Sequence, residues 1–221
     1  MKASSFWRAT TVDEAGLLER VLEKLAESGV PYCVIGGQAV NAFVEPLVSL
    51  DLDLAIAAPD LEHLLSSIGY EFRVERFEHS VNLSAPGSDL RVQFQLDPRY
   101  VEFVPRREPR DVLGYRLPVA RLEDVLSGKV WAASDTTRRA SKRQKDLADI
   151  ARLLERYPEL SKSVPLEIRN LLLSPRFGPN AEMATRMWAA LGRPEVDGVI
   201  AIDVLGAGAR ALVWVGGDYS E

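Results

Sequence analysis

The sequence predicts an α+β fold, a mixed sheet flanked by helices and followed by a helical C-terminal part. Three observations carry this expectation. Short strand-like runs at 32–35 and 50–57 are separated by a helical segment, a polar turn at Pro86-Gly87-Ser88 splits two further strand-like runs, and beyond Arg121 the apolar spacing becomes helical.

Taken in order, Leu17, Leu18, Val21, Leu22 and Leu25 recur at helical spacing and Ser28-Gly29 supplies a stop, so 13–28 reads as an amphipathic helix. Pro31 starts a strand, Tyr32 to Ile35, that ends in Gly36-Gly37, and Gln38 to Val44 reads as a helix cut off before Pro46. Leu50 to Ala57 alternates charged and apolar residues, after which a helix begins at Pro59-Asp60 and closes at Gly69. Residues of about 71–84 and 89–96 form an expected antiparallel hairpin, which makes the sheet mixed. Arg121 to Ala133 and Ala140 to Arg156 read as helices, as do Leu166 to Leu173 and Ala181 to Leu191. Val199 to Leu205 and Ala211 to Val215, around Gly206-Ala207-Gly208, suggest a terminal hairpin. The expected division is a core over 1–120, a helical subdomain over 121–192 and the hairpin over 193–221.

The apolar fraction of 47% and the charged fraction of 27% are those of an ordinary globular chain, which excludes a disordered or fibrous protein. A net charge of −5 confines any nucleic-acid binding to a local basic patch. The single cysteine, Cys33, sits in an apolar run and reads as a buried thiol. His63 and His79 have no ligand spacing with it, and Ser80 and Ser88 lack an elbow-type glycine context, which argues against a zinc site and a serine hydrolase. Trp131, Trp188 and Trp214 read as packing residues, and Tyr100 is a candidate for stacking on a base. No run reaches membrane-spanning length and Met1 to Thr11 is polar, so the expected location is cytoplasmic.

The chemistry lies in Ile35-Gly36-Gly37-Gln38 followed by Ser49-Leu50-Asp51-Leu52-Asp53-Leu54. Glycines at a strand-to-helix turn let backbone amides approach a phosphate, and carboxylates at i and i+2 of a strand project to one side, close enough to share a hard divalent cation. Together they describe a metal–triphosphate site.

The order and spacing resemble the signature of the DNA polymerase β-like nucleotidyltransferases, an apolar residue, Gly-Gly or Gly-Ser, a spacer of about ten residues and D-x-D between apolar residues. The resemblance extends over about 30–156 to the AbiEii-type toxin nucleotidyltransferases of toxin–antitoxin systems, through Gly128-Lys129-Val130-Trp131 and Lys145-Asp146-Leu147-Ala148-Asp149-Ile150. It implies a nucleotidyltransferase fold that binds a nucleoside triphosphate with Mg2+ on Asp51 and Asp53, with Gly36, Gly37 and Gln38 around the nucleotide. By the same analogy Lys129 and Lys145 contact phosphate, with Asp146 or Asp149 as polar partner. An amphipathic helix whose charges face water reads the segment 145–150 equally well. Lys129, Arg138, Arg139, Lys142, Arg143 and Lys145 against the single acid Asp135 form the basic patch, a candidate contact for RNA or a triphosphate tail.

One departure stands out. Members of this superfamily use a third carboxylate on a neighbouring strand, yet the polar face of 89–97 presents Arg91, Gln93 and Gln95. Gln93 occupies the expected third catalytic position beside Asp51 and Asp53. Its oxygen can ligate a cation, but its amide accepts no proton at neutral pH. Asp89 and Asp97 lie at the strand ends, about 13 Å along an extended chain from Gln93, and only a bulge would bring Asp97 closer. Three readings stay open, the first two being a magnesium-dependent enzyme transferring a nucleoside monophosphate to a hydroxyl of RNA, protein or a small molecule, and a nucleotidyltransferase-like binding protein paired with a cognate toxin or antitoxin. A scaffold in which these residues are incidental is the third.

Overall fold

The computed structural model describes residue 13, residues 16–68 and 72–172, and the backbone of 199–202 and 212–215. The chain divides into two units, 1–128 and 129–221. In the first, helix α1 (Leu17–Ser28) precedes β1 (Tyr32–Ile35), α2 (Gly36–Asn41), β2 (Asp51–Ile56) and α3 (Ala58–Ile68). Then come β3 (Arg73–Arg76), β4 (Ser80–Ser84), β5 (Arg91–Gln95), the short α4 (Pro98–Val101), β6 (Glu108–Val112) and β7 (Tyr115–Val119). Helix α5 (Leu122–Ser134) follows, and the second unit continues with α6 (Ala140–Arg156), a 3-10 turn over Pro158–Ser163, α7 (Leu166–Leu172) and the antiparallel pair β8 (Val199–Ile202) and β9 (Leu212–Val215). The expected helix over 181–191, with Trp188, and the glycine turn at 206–208 lie outside the described residues.

Among the described residues of the first unit the sheet has seven strands in the order β3-β4-β5-β2-β1-β7-β6. It is mixed, because β2 runs parallel to β5 and β1 parallel to β7 while the remaining neighbours are antiparallel. β2 is the fourth of the seven, so both its edges are paired.

The alternation predicted for β2 and β5 sets the two faces of the sheet. Leu52, Leu54, Val92 and Phe94 are fully buried, with Leu83 and Val81 beside them on β4. Burying each such side chain contributes roughly 1.5–3 kcal/mol, and a register slip of one residue would turn all of them to the opposite face. That cost holds Asp51 and Asp53 on the other side. Helix α1 covers its apolar stripe, Leu17, Leu18, Val21 and Leu25, and begins four residues later than the spacing predicts. Asp13 explains the delay, since its carboxylate accepts from the backbone of Leu17 at 3.0 Å and Leu18 at 3.1 Å and so caps the helix from outside.

One expectation for the sheet needs correction, and one hairpin is unexpected. The run 71–84 is two strands, because Phe77, Glu78 and His79 are exposed and the Phe77 amide returns to Ser80 O at 2.8 Å, closing a hairpin inside it. The β6–β7 hairpin is not legible in the sequence at all. Pro109 and Pro118 face each other across it, where proline ordinarily argues against a strand, and β6 tolerates this as the edge. Its two-residue turn is Leu113-Gly114, both at positive φ (54° and 92°), a conformation that Asn-Gly would have announced and leucine disguises.

In the second unit, Leu147, Ile150, Leu153 and Leu154 of α6 are buried, as are Leu160, Val164, Ile168 and Leu172 of the segments packed on it. No helix among the described residues is long and apolar enough to cross a membrane.

Candidate active site

Asp51 and Asp53 are half-buried on the polar face of β2. Parallel pairing sets Asp51 opposite Arg91 and Asp53 opposite Gln93, while on its other edge Asp53 faces Ile35, the last residue before the glycines. Strand parity and the short β1–α2 turn thus bring the D-x-D pair and the Gly-Gly pair together.

Gly36 opens α2 at φ +67°, and a Cβ there would stand 2.0 Å from Asp53 Oδ2. No side chain fits in that gap, and the left-handed backbone disfavours one as well. Gly36 therefore lets the Asp53 carboxylate lie directly against the strand-to-helix turn. Gly37 is buried behind it.

Gln38 is 4% exposed. Its Nε2 donates to Ser49 O at 2.7 Å and its Oε1 accepts from Asn41 Nδ2 at 3.3 Å. Asn41 in turn donates to Leu47 O at 2.7 Å and accepts from Leu47 N at 3.0 Å. These four bonds fasten the segment entering β2 to helix α2, which fixes where Asp51 begins. Asn41 carries no motif signal, since its partners lie in a loop whose path only the fold defines.

On β5, Arg91 Nε and Nη2 donate to Asp51 Oδ1 at 3.0 and 2.7 Å. Gln93 sits between Asp53 and Asn82 of β4 in the register, so a polar row crosses the sheet at this level. The Asn82 Oδ1 atom is buried without a hydrogen-bond partner. Gln95 Oε1 accepts from the amides of Leu96 and Asp97, and the Asp97 carboxylate caps α4 through Arg99 N at 3.0 Å and pairs with the Arg99 guanidinium at 2.6 Å. The Arg99 hydrogen bonds hold the Asp97 carboxyl below the usual carboxylate range. Asp97 is thus committed to the helix after the strand rather than bulged toward Gln93. Among the described residues no group of three or more His, Cys, Asp or Glu side chains is placed to share a metal ion.

Elsewhere in this unit, burial pushes the Cys33 thiol up to about 12, so it has no nucleophilic character at neutral pH. Tyr100 is taken up in packing. Its ring occupies the space a Cβ on Gly128 would need, stacks edge-on to Phe103 at 5.6 Å between centroids, and its hydroxyl donates to Gly128 O at 3.3 Å.

In the second unit Asp146 and Asp149 depart from the reading in which the charges of α6 face water, whereas Lys145 follows it. Asp146 and Asp149 are 3% and 4% exposed, and Lys129, 6% exposed, places Nζ 2.9 Å from Asp146 Oδ1 and 2.6 Å from Asp149 Oδ2. Arg138 Nε meets Asp146 Oδ2 at 3.0 Å and Arg152 Nη1 meets Asp149 Oδ1 at 2.9 Å. Arg143 donates to Ala133 O at 2.9 Å, while Arg139 and Lys145 are exposed. Trp131 is half-buried, and of Trp214 only the backbone is described.

Burial by itself would lower the Lys129 pKa, but the Asp149 and Asp146 carboxylates prevail and hold it above the usual lysine range. Because the folded value exceeds the unfolded one, the pairing stabilises fully below about pH 10.4 and is lost as pH rises through the folded pKa. Lys129→Met leaves Asp146 to Arg138 and Asp149 to Arg152 and removes the cation shared between them, at an expected cost of about 1.5–3 kcal/mol, read from the urea midpoint at pH 7. The deficit should shrink as pH rises above about 10.4 toward the folded pKa, and a variant within about 1 kcal/mol of the parent at pH 7 would show the network to be incidental.

The mixed sheet, with a glycine turn and two carboxylates at its centre, is that of a polymerase β-like nucleotidyltransferase. Residues 36–174 match the family model described as "Nucleotidyl transferase AbiEii toxin, Type IV TA system", and the chain belongs to that family. Among solved structures it is similar to an antigenic nucleotidyltransferase-like protein from Paracoccidioides brasiliensis, at 19% identity and a TM-score of 0.50, over 81% of this chain and 95% of that one. It is also similar to the antibiotic-resistance factor ANT(2'')-Ia (16% identity, TM-score 0.44, 80% and 93% covered). A further match is the lincomycin-bound lincosamide antibiotic adenylyltransferase LnuA (15% identity, TM-score 0.43, 65% and 99% covered). No curated protein matches the sequence.

Proposed function

We propose that this chain binds a magnesium–nucleoside triphosphate at Asp51 and Asp53 and transfers the nucleoside monophosphate to a hydroxyl of RNA, a protein or a small molecule. The observation that carries it is the close approach of the Asp53 carboxylate to Gly36 beside its same-face neighbour Asp51 on the central strand. The donor set suits a hard cation: two carboxylates and the Gln93 amide oxygen are all oxygen ligands. The metal, when bound, neutralises the phosphate oxygens and polarises the α-phosphorus.

The chain's own part begins with Asp51 and Asp53, which hold the cation, and the Gly36-Gly37 turn, which bears on the phosphates. The acceptor oxygen bonds to the α-phosphorus, the bond to the bridging oxygen breaks and pyrophosphate leaves. The acceptor proton needs a base. Gln93 supplies none, so in the transfer reading the proton passes to solvent water, and this slow route favours a second reading, a nucleotide-binding member of a toxin–antitoxin-type pair with feeble or no transfer. Within the second unit, the exposed cations Arg139 and Lys145 suit contact with a polyanion such as RNA, and Lys129 with Asp149 supports the helix that carries Lys145.

Incubation with each α-labelled nucleoside triphosphate, Mg2+ and total RNA tests both readings. Expected is Mg2+-dependent retention of at least one triphosphate with slow label transfer. Retention without any transfer selects the binding protein, and no retention of any triphosphate overturns the proposal.

A further inference from the structure

The residue that lies on the proposed metal ligand is an arginine. Resting on the reading of Asp51 and Asp53 as the metal–triphosphate site, we infer that Arg91 is an internal counter-cation. It holds Asp51 until a triphosphate arrives, then passes to the phosphates and yields Asp51 to the metal.

The geometry makes the competition direct. Residues 51 and 91 are partners in the β2–β5 register, and the Arg91 amide bonds Leu50 O at 2.9 Å, so the two side chains leave adjacent backbones on the same face. Both guanidinium donors converge on one carboxylate oxygen, Oδ1. A divalent ion seeking that oxygen meets a fixed positive charge in hydrogen-bond contact with it.

The pair is also able to open. The Arg91 side chain is 41% exposed and that of Asp51 23%, and ion pairs with this much solvent contribute little net stability. A triphosphate offers the guanidinium anionic oxygens that it binds as a planar fork, so the arginine loses little by exchanging a carboxylate for a phosphate. The consequence is coupling. Metal alone binds poorly, nucleotide alone binds poorly because two carboxylates face it, and each strengthens the other by the same factor. Arg91 in this scheme positions Asp51 before the triphosphate arrives and contacts the phosphates afterwards.

The test is titration of Mn2+, followed by its electron-spin resonance signal, into the full chain with and without each of four α,β-nonhydrolysable ribonucleoside triphosphate analogues. For the unaltered chain at least one analogue should strengthen Mn2+ binding by roughly 5–150-fold, the ordinary range of such coupling. Arg91→Gln should tighten Mn2+ binding without nucleotide about tenfold and reduce the strengthening by a similar factor, whereas Arg91→Lys, which keeps the charge, should behave as the parent. A merely structural arginine would give loss in both variants and no gain in either, which overturns the inference. Unchanged Mn2+ affinity in Arg91→Gln also overturns it, and if Asp51→Asn then abolishes binding the site reading stands alone. Mn2+ binding that survives both Asp51→Asn and Asp53→Asn overturns the site reading and the Arg91 inference together.

Discussion

Asp51→Asn and Asp53→Asn are each expected to weaken metal-dependent triphosphate binding by more than about 100-fold, read by calorimetry with Mg2+ and a nonhydrolysable analogue. Asparagine preserves volume and one oxygen but removes the negative charge that a hard cation requires. Losing a group that only supports a metal ligand typically costs about 10–100-fold, so losing a ligand should cost more. The two variants should differ in one respect. Asp51 also receives the Arg91 guanidinium, so Asp51→Asn releases a cation toward the phosphates and should retain some metal-independent nucleotide binding. Asp53 lies against Gly36, so its variant removes the charge at the strand-to-helix turn itself. Binding within a factor of a few of the parent in both variants would remove these carboxylates from the site.

The second large effect is a gain. Gln93 stands opposite Asp53 in the parallel register, and under the proposed function a carboxylate there would serve as the base for the acceptor hydroxyl. Gln93→Glu is therefore expected to raise the transfer rate by roughly 10²–10⁴-fold, the usual contribution of a positioned base and equivalent to about 3–5 kcal/mol of barrier. Crowding a third carboxylate beside Asp53 raises the pKa of one of them, which suits a base working near neutrality. The measurement is the initial rate of pyrophosphate release in Gln93→Glu, Gln93→Asp and Gln93→Ala. A fast parent whose rate survives Gln93→Ala would place the base elsewhere. Asp97 is poorly set for it, being held by Arg99 and the cap of the following helix.

Much of this site is local in origin, and what is local was legible. Carboxylates two apart on a strand share a face whatever the fold, and the alternation of Arg91 to Gln95 assigns Gln93 to the polar side without knowledge of its neighbours. The helices at 122–134 and 140–156 follow from apolar spacing in the same way. The β6–β7 hairpin escaped because two prolines and a leucine at positive φ suppress the usual signals, and pairing with β1 along the sheet stabilises what propensity does not.

Other features could be settled only by tertiary structure, for one physical reason: they depend on which distant backbones become neighbours. Asp146 and Asp149 read equally well as water-facing helix charges or as polar partners at a site, until Lys129, on another helix, is brought between them and their desolvation is offset. The composition of the polar face was written in the sequence. That Arg91 rests on Asp51, and Gln93 beside Asp53, was decided by the parallel register of β2 and β5, which the burial of Leu52, Leu54, Val92 and Phe94 holds in place.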